Sequence, residues 1–159
     1  MKKLLVLKNI EREGPGLFLK IAKERGFLPE IYNLSLGEKL PEPKKDDLIL
    51  IMGGPMSVRD INNEKYFWLR EETDFLKRAI ENKISIIGVC LGAQLLAHIL
   101  GGKIVRLKDE TNKEYKPELG WSEISSIEKK SNEEIILGIK KSLKVLHWHG
   151  DRIILPPQA

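Results

Sequence analysis

The sequence predicts an α/β fold, a three-layer sandwich with a mostly parallel central sheet, and three observations carry this prediction. Short apolar runs rich in β-branched residues alternate with stretches of helical periodicity. The glycine-rich turn Gly53-Gly54 follows one of these runs, and open α/β sheets bind ligands at such strand ends. A later run passes through Gly88-Val89-Cys90-Leu91-Gly92 into an apolar helix, which is typical of a nucleophile elbow.

Length and composition are those of one globular domain, which we assign to residues 1–159. The chain is 42% hydrophobic and 31% charged, and 159 residues suffice to bury a core. No apolar run reaches the roughly 18 residues of a membrane span, and Met1–Leu7 is too short for a signal peptide. We therefore expect a cytoplasmic protein without a membrane partner. The net charge of +4 is dispersed, which favours a solvated surface over nucleic-acid binding.

The first elements alternate strand and helix. Lys2–Lys8 is predicted as the first parallel strand, and Pro15 suits the first turn of a helix that Gly26 ends. Pro29–Leu34 is predicted as a second strand. The prolines of Ser35–Asp47 indicate a surface connection without regular structure.

The next elements enclose the two glycine-rich turns. Leu48–Met52 is predicted as a third, fully apolar strand. Asn62 or Asn63 is predicted to cap a long helix that ends near Asn82. The run Ile84–Val89 then predicts a strand buried on both faces, because it is continuously apolar apart from a serine and a glycine.

The elements after the elbow helix are shorter. The glycine pair Gly101-Gly102 ends that helix, and Lys103–Leu107 is predicted as a strand. A polar segment leads to a strand over Gly120–Ile124. A short helix is predicted over residues 132–138, and Leu143–His149 is predicted as the last strand.

Cys90 is the only cysteine, so a disulfide bond within the chain is excluded. On an elbow its sulfur would lie at a helix N-terminus, where the helix dipole and unbonded N–H groups favour a thiolate. The alternative is a small buried hydrophobic residue, and the flanking glycines weigh against it. For Gly53-Gly54 the alternative is a plain tight turn, since it lacks the Walker lysine and the dinucleotide spacing.

Taken together, these stretches resemble the class I, triad-type glutamine amidotransferase domain over essentially the whole chain. The matching pieces, in the family's order, are Met52-Gly53-Gly54-Pro55, Gly88–Gln94, Glu118-Leu119-Gly120-Trp121 and His147–Asp151. Glu13-Gly14-Pro15-Gly16 also resembles the stand-alone branch related to the amidotransferase domain of GMP synthase. The resemblance implies hydrolysis of the glutamine side-chain amide through a glutamyl thioester, with release of ammonia.

The resemblance also assigns site residues. It implies that Cys90 is the nucleophile and that the backbone N–H groups of Gly54 and Leu91 form the oxyanion hole. Gln94 follows Cys90 by one helical turn, and with Gly53 it would bind the substrate. For Gln94 the alternative is an ordinary exposed helix residue.

One part of the family pattern is missing from these 159 residues. The family's catalytic His and Glu lie in a later Phe-His-x-Glu-like segment, so the resemblance implies a domain that is incomplete at its C-terminus. The apolar surface left uncovered predicts a chain that forms a homodimer or is marginally stable. His149, at the end of the last strand, would line the pocket, or alternatively serve as the base. His98 is predicted to be structural, and Asp151 to begin a turn or a helix, with a role in the pocket as the alternative.

Two classes of function stay open. The first is an enzyme acting on glutamine or another γ-glutamyl amide, with a separate ammonia-accepting synthase as partner; a cysteine hydrolase of γ-glutamyl amides or peptides is a variant of it. The second is a degenerate, non-catalytic domain that binds a partner or a small amide. No cofactor is expected. No metal site is expected either, because His147-x-His149 lacks further obvious ligands in sequence.

Overall fold

The computed structural model describes residues 2–125 and 142–156. The strands are β1 (Lys3–Lys8), β2 (Leu28–Asn33), β3 (Leu48–Ile51), β4 (Ser85–Gly88), β5 (Lys103–Arg106), β6 (Glu118–Ser125), β7 (Ser142–His149) and β8 (Asp151–Ile154). The helices are α1 (Leu17–Glu24), α2 (Trp68–Glu81) and α3 (Leu91–Ile99). The helix predicted over residues 132–138 lies outside the described residues. The described residues form two compact units. One unit holds residues 2–104 and 153–156, and the other holds residues 105–125 and 142–152.

A four-stranded parallel sheet forms the centre of the first unit, as the sequence predicted. Its strand order is β2-β1-β3-β4, and β1 pairs in parallel with β2 and with β3, which pairs in parallel with β4. The two inner strands are almost completely buried. The prediction that the fourth strand is buried on both faces is wrong. Within the described residues β4 pairs only with β3, and Ile87 is 39% exposed.

Helices cover both faces of this sheet. Alternate residues of β1 and β3 belong to two separate apolar clusters, because successive side chains of a strand point to opposite faces. One cluster lies on the side of α1 and comprises Leu4, Val6, Ala22, Leu50 and Met52. The other lies on the side of α2 and α3 and includes Leu5, Leu7, Ile49, Ile51, Leu69, Phe75, Leu76, Leu91 and Leu95. The predicted three-layer α/β architecture is confirmed.

The predicted start of the long helix is wrong by one turn. Asn63 does act as a cap, since its side-chain oxygen accepts a hydrogen bond from the Lys65 N–H at 3.0 Å, but it caps a short 3₁₀ turn over Glu64–Tyr66. Phe67 already has helical dihedral angles and leads directly into α2 at Trp68. The predicted end near Asn82 is confirmed, because Asn82 is the C-cap residue.

An antiparallel hairpin dominates the second unit. The strands β6 and β7 pair from Glu118 opposite His149 to Ser125 opposite Ser142, and they contain the two strands that the sequence predicted here. One face carries two apolar cross-strand pairs that are largely exposed, Leu119 with Trp148 and Trp121 with Leu146.

The strands β5 and β8 form a separate two-stranded sheet. The predicted strand Lys103–Leu107 is confirmed by β5, whereas the prediction that Asp151 begins a turn or a helix is wrong. Asp151 is the first residue of β8, because the chain bends at Gly150 and extends again. Among the described residues, no helix is long and apolar enough to cross a membrane.

Candidate active site

Cys90 lies at the turn between β4 and α3. It is the N-cap residue of α3, its side chain is exposed, and its dihedral angles are φ 52° and ψ −109°. A positive φ is uncommon outside glycine and costs about 1–3 kcal/mol, so the surrounding structure must hold it in place. The predicted strand–turn–helix geometry of an elbow is therefore present, with Cys90 at the N-terminus of the helix.

The two flanking glycines serve packing and not backbone strain. A Cβ on Gly88 would lie 2.5 Å from the carbonyl carbon of Gly92, and a Cβ on Gly92 would lie 2.5 Å from the Ile51 carbonyl oxygen. Neither glycine has a positive φ. The spacing Gly-x-Cys-x-Gly thus lets α3 start directly against β3 and β4, while the strained dihedral angle falls on Cys90 itself.

The Gly53-Gly54 turn lies next to Cys90. A Cβ on Gly53 would be 3.3 Å from the Cys90 Cβ and 3.1 Å from Glu13 Oε2. The Glu13 carboxylate and the Cys90 side chain therefore both lie next to Gly53. The sequence analysis did not assign Glu13 to the site. The available signal was the segment Glu13-Gly14-Pro15-Gly16, which resembles one branch of the family.

A buried polar network supports this turn from behind. The Asn9 side-chain amide donates hydrogen bonds to the Met52 carbonyl and to Glu72 Oε1, both at 3.3 Å. Its oxygen accepts a hydrogen bond from Trp68 Nε1 at 2.8 Å. Because Met52 directly precedes Gly53, the network fixes the peptide that enters the glycine-rich turn.

Glu72 is the unusual member of this network because it is a fully buried carboxyl group. Burial raises the pKa of Glu72 to about 8, although the hydrogen bond from Asn9 acts in the opposite direction. The group is therefore mostly protonated at neutral pH. Sequence reasoning missed Glu72 and Asn9. The available signal was an acidic residue spaced with Leu69 and Leu76 on the apolar face of α2.

Two predicted site residues follow Cys90 on α3. Leu91 is the first residue of α3, directly after Cys90, and its side chain is fully buried. Gln94 is only 7% exposed, and its N–H donates to the Cys90 carbonyl at 3.0 Å. The alternative of an ordinary exposed residue is wrong for Gln94. His98, further along α3, is exposed and belongs to no described metal-ligand cluster.

His149 belongs to the second unit. Its Nε2 lies 2.9 Å from Glu118 Oε2, and its Nδ1 lies 3.0 Å from the Asp151 carbonyl oxygen. In the first unit the structure thus brings together Cys90 and the Gly53-Gly54 turn. The predicted roles of His149 as a pocket residue or a base stay predictions.

Comparison with known proteins decides the family. Residues 18–158 match the family described as glutamine amidotransferase class-I. The chain belongs to this family. It is 32% identical over 150 residues to the glutamine amidotransferase-like protein YfeJ of Salmonella typhimurium, covering 92% of this chain and 59% of that protein.

Two further comparisons agree with this assignment. One subunit of the glutamine-hydrolysing GMP synthase of Sulfolobus acidocaldarius is 30% identical over 143 residues, covering 90% of this chain and 66% of that subunit. A solved glutamine amidotransferase from Thermotoga maritima superimposes with a TM-score of 0.82 at 26% identity, covering 98% of this chain and 64% of that one. This class I amidotransferase chain thus spans about three fifths to two thirds of the length of these relatives.

Proposed function

We propose that Cys90 attacks the side-chain amide carbonyl of glutamine, or of a related γ-glutamyl amide. The sulfur–carbon bond forms, the carbon–nitrogen bond breaks, and the nitrogen leaves with the thiol proton as ammonia. Water then cleaves the γ-glutamyl thioester to the free acid and the thiol. The observation that carries the proposal is the strained elbow, which holds Cys90 at a helix N-terminus and against Gly53.

The oxyanion that develops during this attack would be held by the backbone N–H groups of Gly54 and Leu91. Leu91 is the first residue of α3, where N–H groups have no partner within the helix. Removal of one such donor typically costs about 3–4 kcal/mol of transition-state stabilisation. Gln94 and Gly53 are proposed to bind the substrate, since both lie next to Cys90 or its helix turn.

The proton acceptor is proposed to come from the Phe-His-x-Glu-like segment of the family. The name of the Sulfolobus acidocaldarius relative, a subunit of a glutamine-hydrolysing synthase, supports glutamine as the substrate. It also supports a separate synthase as the acceptor of the ammonia. The alternatives are a γ-glutamyl peptide as substrate and a domain that binds an amide without turnover.

Ammonia release from glutamine tests the proposal. The assay compares the 159-residue chain with a version extended by the Phe-His-x-Glu segment of a relative, each also carrying Cys90→Ala or the surface control His98→Ala. We expect release by the extended chain, loss with Cys90→Ala, and an unchanged rate with His98→Ala. An extended chain that releases no ammonia, or one that is indifferent to Cys90→Ala, would contradict the catalytic role.

A labelling experiment separates the alternatives. A glutamine-analogue chloroketone should alkylate Cys90 with one-to-one stoichiometry, and glutamine should protect it. Protection by glutamine without ammonia release from the extended chain would favour the binding domain. Release from γ-glutamyl peptides but not from glutamine would favour the peptide hydrolase.

A further inference from the structure

The β6–β7 hairpin gathers three potential metal ligands on one face. His147 and His149 are two residues apart on β7, so their side chains point to the same side of the strand. Glu118 lies directly opposite His149 in the antiparallel register. Among the described residues, this is the group of His, Cys, Asp and Glu side chains whose ligand atoms lie close enough together to hold one ion.

The three ligand atoms form a nearly regular triangle. Glu118 Oε2 lies 2.9 Å from His149 Nε2 and 3.3 Å from His147 Nδ1, and the two nitrogens are 3.4 Å apart. A tetrahedral zinc ion with bonds of about 2.0–2.1 Å separates its ligand atoms by about 3.3–3.4 Å. The side chains therefore already form one face of such a tetrahedron, to within a few tenths of an ångström.

Hydrogen bonding orients one ligand for this role. His149 Nδ1 lies 3.0 Å from the Asp151 carbonyl oxygen, which can only accept, so Nδ1 carries the hydrogen. The His149 Nε2 lies 2.9 Å from Glu118 Oε2, so this nitrogen and this oxygen are close enough to bind one ion together. A bond from the distal N–H to a backbone carbonyl is also how metal-bound histidines are commonly held.

We propose that Glu118, His147 and His149 bind a zinc-type divalent transition-metal ion through Oε2, Nδ1 and Nε2. Two imidazole nitrogens and one carboxylate oxygen suit zinc, whereas magnesium and calcium prefer oxygen ligands. The Glu118 side chain is 53% exposed, which gives the ion access and leaves the fourth position to water. The ion joins β6 to β7.

The proposed site differs from the expectation that the chain has no metal site. That expectation rested on the absence of a third ligand near His147-x-His149 in sequence. The hairpin register supplies the third ligand from β6, which sequence spacing does not reveal.

Metal titration of the chelator-treated, unaltered chain is the first test. Calorimetry should show one zinc ion per chain, bound at least about 100-fold more tightly than magnesium. Nitrogen-detected NMR should place the ion on His147 Nδ1 and His149 Nε2, with His98 unaffected. Absence of one-to-one zinc binding, or an ion on other nitrogens, would overturn the proposal.

Matched variants provide the second test. His147→Ala, His149→Ala and the nearly isosteric Glu118→Gln should each weaken zinc binding at least about tenfold. His98→Ala removes the chain's third histidine and Cys90→Ser its thiol, and both should bind zinc as the unaltered chain does. Unchanged binding in His149→Ala, or loss in Cys90→Ser, would overturn the site. If circular dichroism shows that a variant does not fold, the NMR assignment on the unaltered chain decides.

Discussion

Apolar side chains are buried in the four-stranded sheet, whereas apolar side chains of the same types are largely exposed in the β6–β7 hairpin. In the sheet, the Leu50 side chain is completely buried between the strands and α1. In the hairpin, Leu146 is 52% exposed and Trp148 is 76% exposed. Two strands alone bury little apolar surface, and such a hairpin is marginally stable in isolation. The difference shows that layering, and not residue type, determines how much each apolar side chain stabilises its unit.

Potential functional residues are consequently held in place in different ways in the two units. Cys90 is held by close backbone packing, which tolerates a strained dihedral angle because Gly88 and Gly92 sit directly against their neighbours. The hairpin instead holds its polar residues by cross-strand pairing, with each pair contributing about 0.2–1 kcal/mol. A metal ion joining Glu118 to β7 would stabilise the hairpin, as a packed core stabilises the other unit.

The largest effect is expected at the contact between the elbow helix and β3. In Gly92→Ala the new Cβ would lie 2.5 Å from the Ile51 carbonyl oxygen and 2.8 Å from its Cβ, and the backbone atom cannot move aside. We expect a loss of at least about 4 kcal/mol in the free energy of unfolding, measured by urea denaturation. Gly14→Ala is the control, because a Cβ there meets nothing within 4 Å. Equal stability of both variants would contradict the packing described for the elbow.

The contrast between the units is tested most directly by one substitution in each. Leu50→Ala should cost about 2–5 kcal/mol, because it leaves a cavity between the sheet and α1. Leu146→Ala should cost less than about 1 kcal/mol, because most of the side chain is already in water. Urea denaturation of both variants checks this difference. A loss above about 2 kcal/mol in Leu146→Ala would show that the exposed face of the hairpin is covered in solution.

The sequence was sufficient for features that depend on local pattern. The buried strands β1 and β3 and the elbow at Cys90 were predicted because apolar runs and glycine spacing are local signals. Among the described strands β4 pairs with β3 alone, which was missed because it depends on which strands pair. The start of α2 was missed because Asn63 caps a 3₁₀ turn that continues into the helix.

Features that depend on tertiary contacts were not predictable in the same way. Asn9 and Glu72 are far apart in sequence and meet only when α2 packs on the sheet. The approach of Glu13 to Gly53, and that of Glu118 to His149, likewise require the folded chain. The local motifs thus indicated Cys90 as the proposed nucleophile, while the tertiary contacts of Glu13, Asn9, Glu72 and Glu118 emerged only from the fold.

The buried carboxyl group of Glu72 gives the first unit a pH-dependent stability. The unfolded carboxyl has a pKa near 4.5, whereas burial raises the pKa of Glu72 to about 8 in the folded chain. Between these values only the unfolded state ionises. Its contribution to stability is therefore complete below pH 4.5, falls by up to about 1.4 kcal/mol per pH unit, and levels off above pH 8.

Glu72→Gln isolates this effect because the amide stays neutral throughout. At about pH 5 the variant should be within about 1 kcal/mol of the unaltered chain, and between about pH 5 and pH 8 it should gain about 3–4 kcal/mol in stability relative to that chain. Urea denaturation at both pH values measures this change. Glu71→Gln, on the adjacent exposed position of α2, is the control and should show no such change. Parallel pH profiles for Glu72→Gln and the unaltered chain would contradict a neutral buried carboxyl.

The smallest effect is expected at Cys90, the proposed nucleophile, and has the opposite sign. Cys90→Gly should increase the free energy of unfolding by about 1 kcal/mol, because relief of the positive φ exceeds the entropy cost of glycine. Cys90→Ala keeps the strained dihedral angle and should show no gain, and Lys83→Gly, at φ 56°, should show a similar gain away from the site. Denaturation curves of the three variants measure these changes. A Cys90→Gly variant no more stable than Cys90→Ala would show that the elbow is unstrained. The expected gain would instead show that Cys90, the residue proposed to carry the chemistry, lowers the stability of the folded chain, although the strands and helices around it are closely packed.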